Sequence, residues 1–190
     1  MKDVVVIGGP NGAGKTTAAP DLLPASFSIR EFVNADEIAR GISPFNPAGS
    51  AVLAGRLMLD RMRALAETGE SFAFETTCAG RGHTRFLKSC RTAGYRSMLI
   101  FLWLPSARDA LARVARRVKE GGHWIADEVV ARRYAAGLYN MRHLYLPLVD
   151  SALIYDNSDH GRGLIAAREA GDSLVIHDEA RWRWIEEATR

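Results

Sequence analysis

The chain alternates short β-rich apolar runs with longer stretches whose apolar residues recur at helical spacing. Residues 4–7 (VVVI) form an unbroken aliphatic run, the pattern of a strand buried on both faces of a sheet. Residues 29–33, 72–74, 97–104 and 152–155 supply four more candidate strands. Between them the spacing predicts helices over 14–23, 36–40, 47–68, 83–93, 107–120 and 126–145. Pro47 suits a first helical turn and Ser106 an N-cap, while Gly69, Gly94 and Gly121-Gly122 close helices. Pro20 deletes a hydrogen bond from the first helix at a cost of ~3 kcal/mol, so a kink or early end is expected there. After the fifth strand, LIAAREAGDSLVIHD places two β-rich runs around Ala170-Gly171-Asp172, a hairpin signal. EARWRWIEEATR then reads as a short terminal helix, and Trp182 and Trp184 as residues packing on the hairpin.

This order of elements implies an α/β fold with a parallel sheet wrapped by helices. One domain over 1–190 is expected, long enough for a substantial core. The 47% hydrophobic and 25% charged content is ordinary for a globular chain, and no apolar run approaches the ~20 residues that span a bilayer. The run at 4–7 is too short for a signal-peptide core and passes straight into glycines, so a cytoplasmic location is expected. Cys78 and Cys90 fit a reducing compartment and lack metal-ligand spacing. Cys78 follows a site-bearing strand and could lie near substrate or be a small filler.

The net charge of +3 is local in origin: residues 108–142 carry eight basic and four acidic side chains. A nucleic-acid binder spreads its basic stripe wider and interleaves aromatics. Arginines concentrated on one helical pair point instead to a phosphate clamp.

Gly9-Pro10-Asn11-Gly12-Ala13-Gly14-Lys15-Thr16 matches G-x4-G-K-[ST], with a strand before it and a helix after it. Glycines let backbone N–H groups approach a phosphate, and the helix N-terminus adds partial positive charge. Lys15 would reach the β/γ oxygens, Thr16 would offer its hydroxyl to Mg²⁺, and Thr17 continues the loop. The expected ligand is therefore a nucleoside triphosphate with Mg²⁺.

The fate of the γ-phosphate depends on what stands opposite. FVNADEIARG puts Asp36 just past the second strand, where ligands of open α/β sheets collect. It could accept the proton of an attacking hydroxyl, or merely N-cap the following helix. Asn34 is a candidate for orienting substrate. SFAFETT ends its strand on Glu75, which could hold a Mg²⁺-bound water, touch the acceptor, or be a solvated strand-end carboxylate. Thr76 and Thr77 offer hydroxyls, and Arg81 and His83 could meet an anionic acceptor or sit in an exposed loop.

The glycine break in EGGHWIADE makes 106–145 a candidate lid of two helices that closes over triphosphate. Arg117 before the break and Arg132 or Arg133 after it are candidates for neutralising transition-state charge, and His123 for the hinge. Taken singly, each arginine also fits a solvated surface position. Asp156-Asn157-Ser158, after the fifth strand, can border an adenine ring or form only a turn.

GGPNGAGKTT, FVNADEIARG, FAFETTCAGRG and GGHWIADEVVARRY, in that order, resemble the zeta-toxin-like family of P-loop kinases over roughly residues 1–158. The resemblance implies a nucleoside monophosphate kinase-like core of five parallel strands in the order 2-3-1-4-5, with a helical lid and a C-terminal hairpin and helix. It implies ATP- and Mg²⁺-dependent phosphorylation of a small hydroxyl acceptor, a UDP-amino sugar in the characterised toxins. It places Asp36 at the catalytic base, Glu75 on the substrate side, and arginines such as Arg117 and Arg133 at the γ-phosphate. It also brings an antitoxin protein into view as a partner. The chain lacks the extended C-terminal portion with which larger toxins hold the UDP-sugar, so the kinase expectation stands ahead of that acceptor. Two other readings fit the motifs: a nucleotide-dependent switch acting through a protein partner, and a nucleic-acid-end kinase.

Overall fold

A computed structural model of the chain describes residues 2–27, 29–122, 124–158 and 162–190; the proposed hinge residue His123 lies outside them. The strands are β1 (Lys2–Gly8), β2 (Glu31–Val33), β3 (Phe72–Thr76), β4 (Tyr95–Trp103), β5 (Ser151–Asp156), β6 (Gly163–Arg168) and β7 (Val175–Ile176). They form one sheet in the order β2-β3-β1-β4-β5-β6-β7. The first five pair in parallel, as expected, and β6 and β7 add antiparallel strands at the far edge. The C-terminal hairpin is therefore an extension of the main sheet, with Ala152 opposite Arg168 and Ala166 opposite Ile176.

The helices are α1 (Lys15–Phe27), α2 (Ala35–Ile42), α3 (Ala51–Thr68), α4 (Gly82–Thr92), α5 (Ala107–Lys119), α6 (Asp127–Asn140) and α7 (Glu179–Ala188). Strand β1 is central because Val4 to Ile7 can be buried on both faces, and all four are at most 1% exposed. Its partners register Val6 against Phe74 and Leu99, which makes the sheet centre a continuous apolar layer.

Several boundaries differ from those the sequence predicts. Helix α1 runs on past Pro20, whose ring faces solvent and whose missing bond leaves one carbonyl, that of Thr16 by helical spacing, unpaired within the helix. Pro47 opens a short 3₁₀ turn, Pro47–Ser50, with Asn46 as its cap, and α3 starts only at Ala51. The predicted helix 126–145 divides into α6 and a π turn, Met141–Tyr145, closed by Leu146 N–H donating to Met141 O at 2.8 Å.

The terminal tryptophans sit on α7. Trp182 is buried, while Trp184 meets Trp103 of β4 edge to face at 5.4 Å. Arg142 pairs with Glu186 at 3.2 Å, and the His143 ring nitrogen lies 2.8 Å from Thr189 O, fastening α7 to the π turn.

Candidate active site

The loop between β1 and α1 turns with φ of +145° at Gly9, +78° at Gly12 and +79° at Gly14. Close approach also requires two of these glycines. A Cβ on Gly9 would fall 2.5 Å from Leu102 O, and one on Gly12 would fall 2.9 Å from Arg113 Cβ and 3.0 Å from Ala110 O. The loop is thus pressed between β4 and α5 while its other side faces the cavity.

Lys15 opens α1 and is only 6% exposed. Its Nζ donates to Pro10 O at 2.9 Å and lies 3.6 Å from Glu75 Oε1. Thr16 donates its hydroxyl to Glu75 Oε2 at 2.8 Å. Asn34 Nδ2 donates to that same oxygen at 2.8 Å and lies 3.4 Å from Thr16 Oγ1. Glu75 can serve both because the register of β1 with β3 sets it opposite Ile7, at the sheet edge from which the glycine loop departs.

Asn34 has a second task. Its Oδ1 accepts from Asp36 N at 2.8 Å and Glu37 N at 3.3 Å, so Asn34, not Asp36, caps α2. Asp36 is left on the first turn of α2 with an exposed carboxylate that pairs with no other described residue.

A cavity of about 260 Å³ lies over the loop, lined by Gly12, Gly14, Lys15, Thr16, Thr17 and Glu75 from the core. From α5 come Arg113, Arg116 and Arg117, and from its C-cap Glu120. Arg113 and Arg116 also line an adjoining cavity of about 540 Å³ with Leu104, Pro105, Ala112 and Ser158. Arg113 reaches across the loop to Gly12 O at 3.5 Å and to Ser158 O. Asn157 Nδ2 donates to Ala13 O at 2.7 Å, tying the β5 loop to the glycine loop. The two cavities share Arg113 and Arg116 and so form a trough with a cationic wall, with Glu75 and Glu120 in the smaller part and Asp109 in the larger.

The structure therefore brings together the loop 9–17, Asn34, Glu75 and Arg117, with Asp36 on the capped helix beside them. Arg133 of α6 is not among the residues lining either cavity. Arg81 is exposed at the start of α4. Thr76 turns its hydroxyl back to accept from Cys78 N at 3.0 Å. Arg113 and Arg116 are additional cavity residues that single-motif reading passes over. Their i, i+3, i+4 relation to Arg117, which puts all three on one helix face, is the signal that finds them.

The second helix of the expected lid is built into the body. Val130, Tyr134, Gly137, Leu138 and Asn140 are buried, and Tyr134 donates to Leu104 O at 2.8 Å. Burial pushes the Tyr134 hydroxyl above its ordinary pKa. Cys78 and Cys90 are free, buried thiols, and desolvation raises Cys78 to about 12 against the opposing pull of Lys15. No helix among the described residues is long and apolar enough to cross a membrane.

The strand order, the phosphate loop and the acid ending β3 define a P-loop kinase fold. Solved structures share it over the whole chain. A chain of the AvrRxo1-ORF1:AvrRxo1-ORF2 complex with sulphate ions superposes with a TM-score of 0.76 at 17% identity, covering 100% of this chain and 64% of that one. The same complex with ATP gives 0.74 at 14% identity, again over 100% and 64%. A chain of the PezAT chromosomal toxin–antitoxin system of Streptococcus pneumoniae gives 0.68 at 14% identity, over 99% of this chain and 85% of that one. This protein thus spans under two thirds of the length of the AvrRxo1 chain it matches.

No protein-family model matches the chain. It is 30% identical over 129 residues to an uncharacterized protein of Haemophilus influenzae, covering 66% of this chain and 88% of that one. The chain belongs to the family of that Haemophilus protein.

Proposed function

We propose that this protein is an ATP-dependent phosphotransferase that moves the γ-phosphate to a hydroxyl of a small molecule, with Asp36 as the base. The observation that carries this reading is the Asn34 side chain, which ties the Asp36 helix to Glu75 through a bond of 2.8 Å on either side of its amide. In this reading a carboxylate that pairs with no other described residue stands at the γ-phosphate end of the phosphate loop.

In this reading the triphosphate lies along the loop, with Lys15 exchanging Pro10 O for phosphate oxygens. The nucleoside occupies the trough beside Leu104, Pro105 and Ser158. Arg116 and Arg117 stand over the γ-phosphate, where positive charge placed before the reaction lowers the barrier. Asp36 accepts the hydroxyl proton of the acceptor as its oxygen bonds to the γ-phosphorus. The bond from that phosphorus to the β–γ bridging oxygen breaks and ADP leaves.

The oxygen donors of Thr16 and Glu75 suit Mg²⁺, which takes one or two protein ligands and leaves its other positions to phosphate and water. When bound, the ion would neutralise charge on the β and γ oxygens. A protein partner that covers the site is part of the proposal, supported by the two-component assemblies that contain the matched folds.

The test incubates the protein with Mg²⁺-ATP and a panel of sugars, nucleosides and UDP-amino sugars, and reads the gain of one phosphate by mass spectrometry. Asp36→Asn should retain nucleotide binding and lose roughly 10²–10⁴-fold in transfer, the range for a positioned general base. ADP formed equally by both proteins, with no phosphorylated product, would overturn Asp36 as base and favour a nucleotide switch.

A further inference from the structure

The turn that leaves the end of β3 for α4, residues 76–80, starts next to Glu75 and contains a residue held in an unusual conformation. Cys78 has φ +58°, the one positive value outside glycine among the described residues. Such a conformation in a non-glycine residue persists only where its surroundings enforce it. Here the enforcement comes from one element on the other side of the turn.

Gly137 of α6 lies so close that a Cβ on it would sit 2.3 Å from Thr77 O. Three residues on, Asn140 is only 4% exposed and donates its amide to Cys78 O at 2.9 Å and Ala79 O at 3.0 Å. Five residues further, the fully buried Tyr145 donates to Gly80 O at 3.3 Å. The spacing explains the π turn. On an uninterrupted α-helix the residue sharing a face with 137 and 140 is 144, and 145 points well to one side. One wider turn over Met141–Tyr145 restores residue 145 to that face.

We infer that Asn140 and Tyr145, aligned by the π turn, are positioning residues that clamp the 76–80 turn and so fix Glu75 for its work at the phosphate loop. Neither side chain lines the phosphate cavity or its neighbour. They act through the turn's carbonyls, and the functional part of this inference rests on the phosphotransferase reading above.

The turn carries its own reporter. The Cys78 thiol is fully buried and is held protonated with a pKa near 12, so it is inert to alkylation while the clamp holds. Cys90, buried beside Tyr95 and away from the clamp, is the internal reference.

The experiment measures iodoacetamide labelling of each cysteine by mass spectrometry, without nucleotide or acceptor, in the wild type, Asn140→Leu and Tyr145→Phe. Tyr134→Phe is the control, since it deletes a side-chain bond from the same helix to Leu104 O rather than to the turn. Labelling of Cys78 relative to Cys90 should rise at least tenfold in Asn140→Leu and remain unchanged in Tyr134→Phe. Equal labelling in the two variants would overturn the clamp.

Steady-state transfer is the second measurement. Asn140→Leu should lower kcat at least tenfold with KM for ATP within about twofold of wild type, and Tyr134→Phe should leave both in place. A kcat that merely follows thermal stability across all three variants would overturn the positioning role even if labelling rises. If the wild type transfers no phosphate at all, the phosphotransferase reading fails, and the labelling result still decides the clamp.

Discussion

Asn34, the N-cap of α2, and Glu75 of β3 are joined by a 2.8 Å hydrogen bond between their side chains, and the bond gives the site its order. The other end of the Asn34 amide caps α2, so one small side chain sets both the acid of β3 and the helix bearing Asp36. Asn34→Asp separates the two roles. Aspartate caps a helix as well as asparagine does, but it replaces a donor to Glu75 by a second carboxylate. The variant should lose about 1–3 kcal/mol of stability at neutral pH, the cost of a broken buried hydrogen bond to a charged group. Acidification or added Mg²⁺ should restore part of it. Asn34→Ser, which keeps a capping oxygen and adds no charge, should show neither dependence. Thermal melts of both variants across pH and Mg²⁺ decide this, and identical curves would refute the division of labour.

The fold was legible because its signals are local. The aliphatic run at 4–7, the glycine loop and the recurring strand–helix alternation each constrain a few adjacent residues and point to the same architecture. The phosphate loop and Glu75 were legible for the same reason. What escaped was set by packing between distant elements. Asn34 reads as a substrate candidate in its own segment, and only the meeting of β2 with β3 shows its amide committed to Glu75. The break at 121–122 suggests a two-helix lid, yet burial of Tyr134, Gly137 and Asn140 builds α6 into the body. No periodicity announces the π turn, since its reason is the 76–80 loop more than 55 residues earlier in the chain.

Lys15→Met tests the phosphate loop. The variant loses the charge that the proposed function brings to the triphosphate and retains most of the buried stem. Charge-assisted hydrogen bonds contribute about 1.5–3 kcal/mol each, so ATP affinity should fall roughly 10- to 150-fold. The fold should survive with a modest loss, because Lys15 also approaches Glu75 at 3.6 Å. Calorimetric titration with ATP checks the expectation, and an unchanged affinity would show that the loop does not hold the triphosphate.

Gly137→Ala tests the packing of α6 against the turn. The added Cβ would stand 2.3 Å from a backbone carbonyl oxygen, so either the helix or the turn must move. Overpacking of this kind costs about 1–3 kcal/mol. Gly55, on α3, has open space where its Cβ would go, and Gly55→Ala should instead be neutral or gain up to about 1 kcal/mol from helix propensity. Urea unfolding of the pair measures the difference, and equal midpoints would mean that the contact at Thr77 O yields without cost.

His83 gives the molecule an acid sensitivity whose sign is fixed by its surroundings. Its ring packs on Phe74 with centroids 5.1 Å apart, and its Nδ1 is buried without a hydrogen-bond partner among the described residues. Burial lowers its pKa below the ordinary value of 6.5. In the window between 6.5 and that lowered value, the unfolded chain binds a proton that the folded ring does not. Stability must therefore fall as pH drops through this window, and above 6.5 the group contributes no pH dependence. His83→Gln removes the titration. Between about pH 7.5 and about pH 5.5, values that straddle the free-histidine pKa, its urea midpoint should decline less than that of the wild type. Parallel declines in the two proteins would show that the folded ring takes up its proton as freely as the unfolded one.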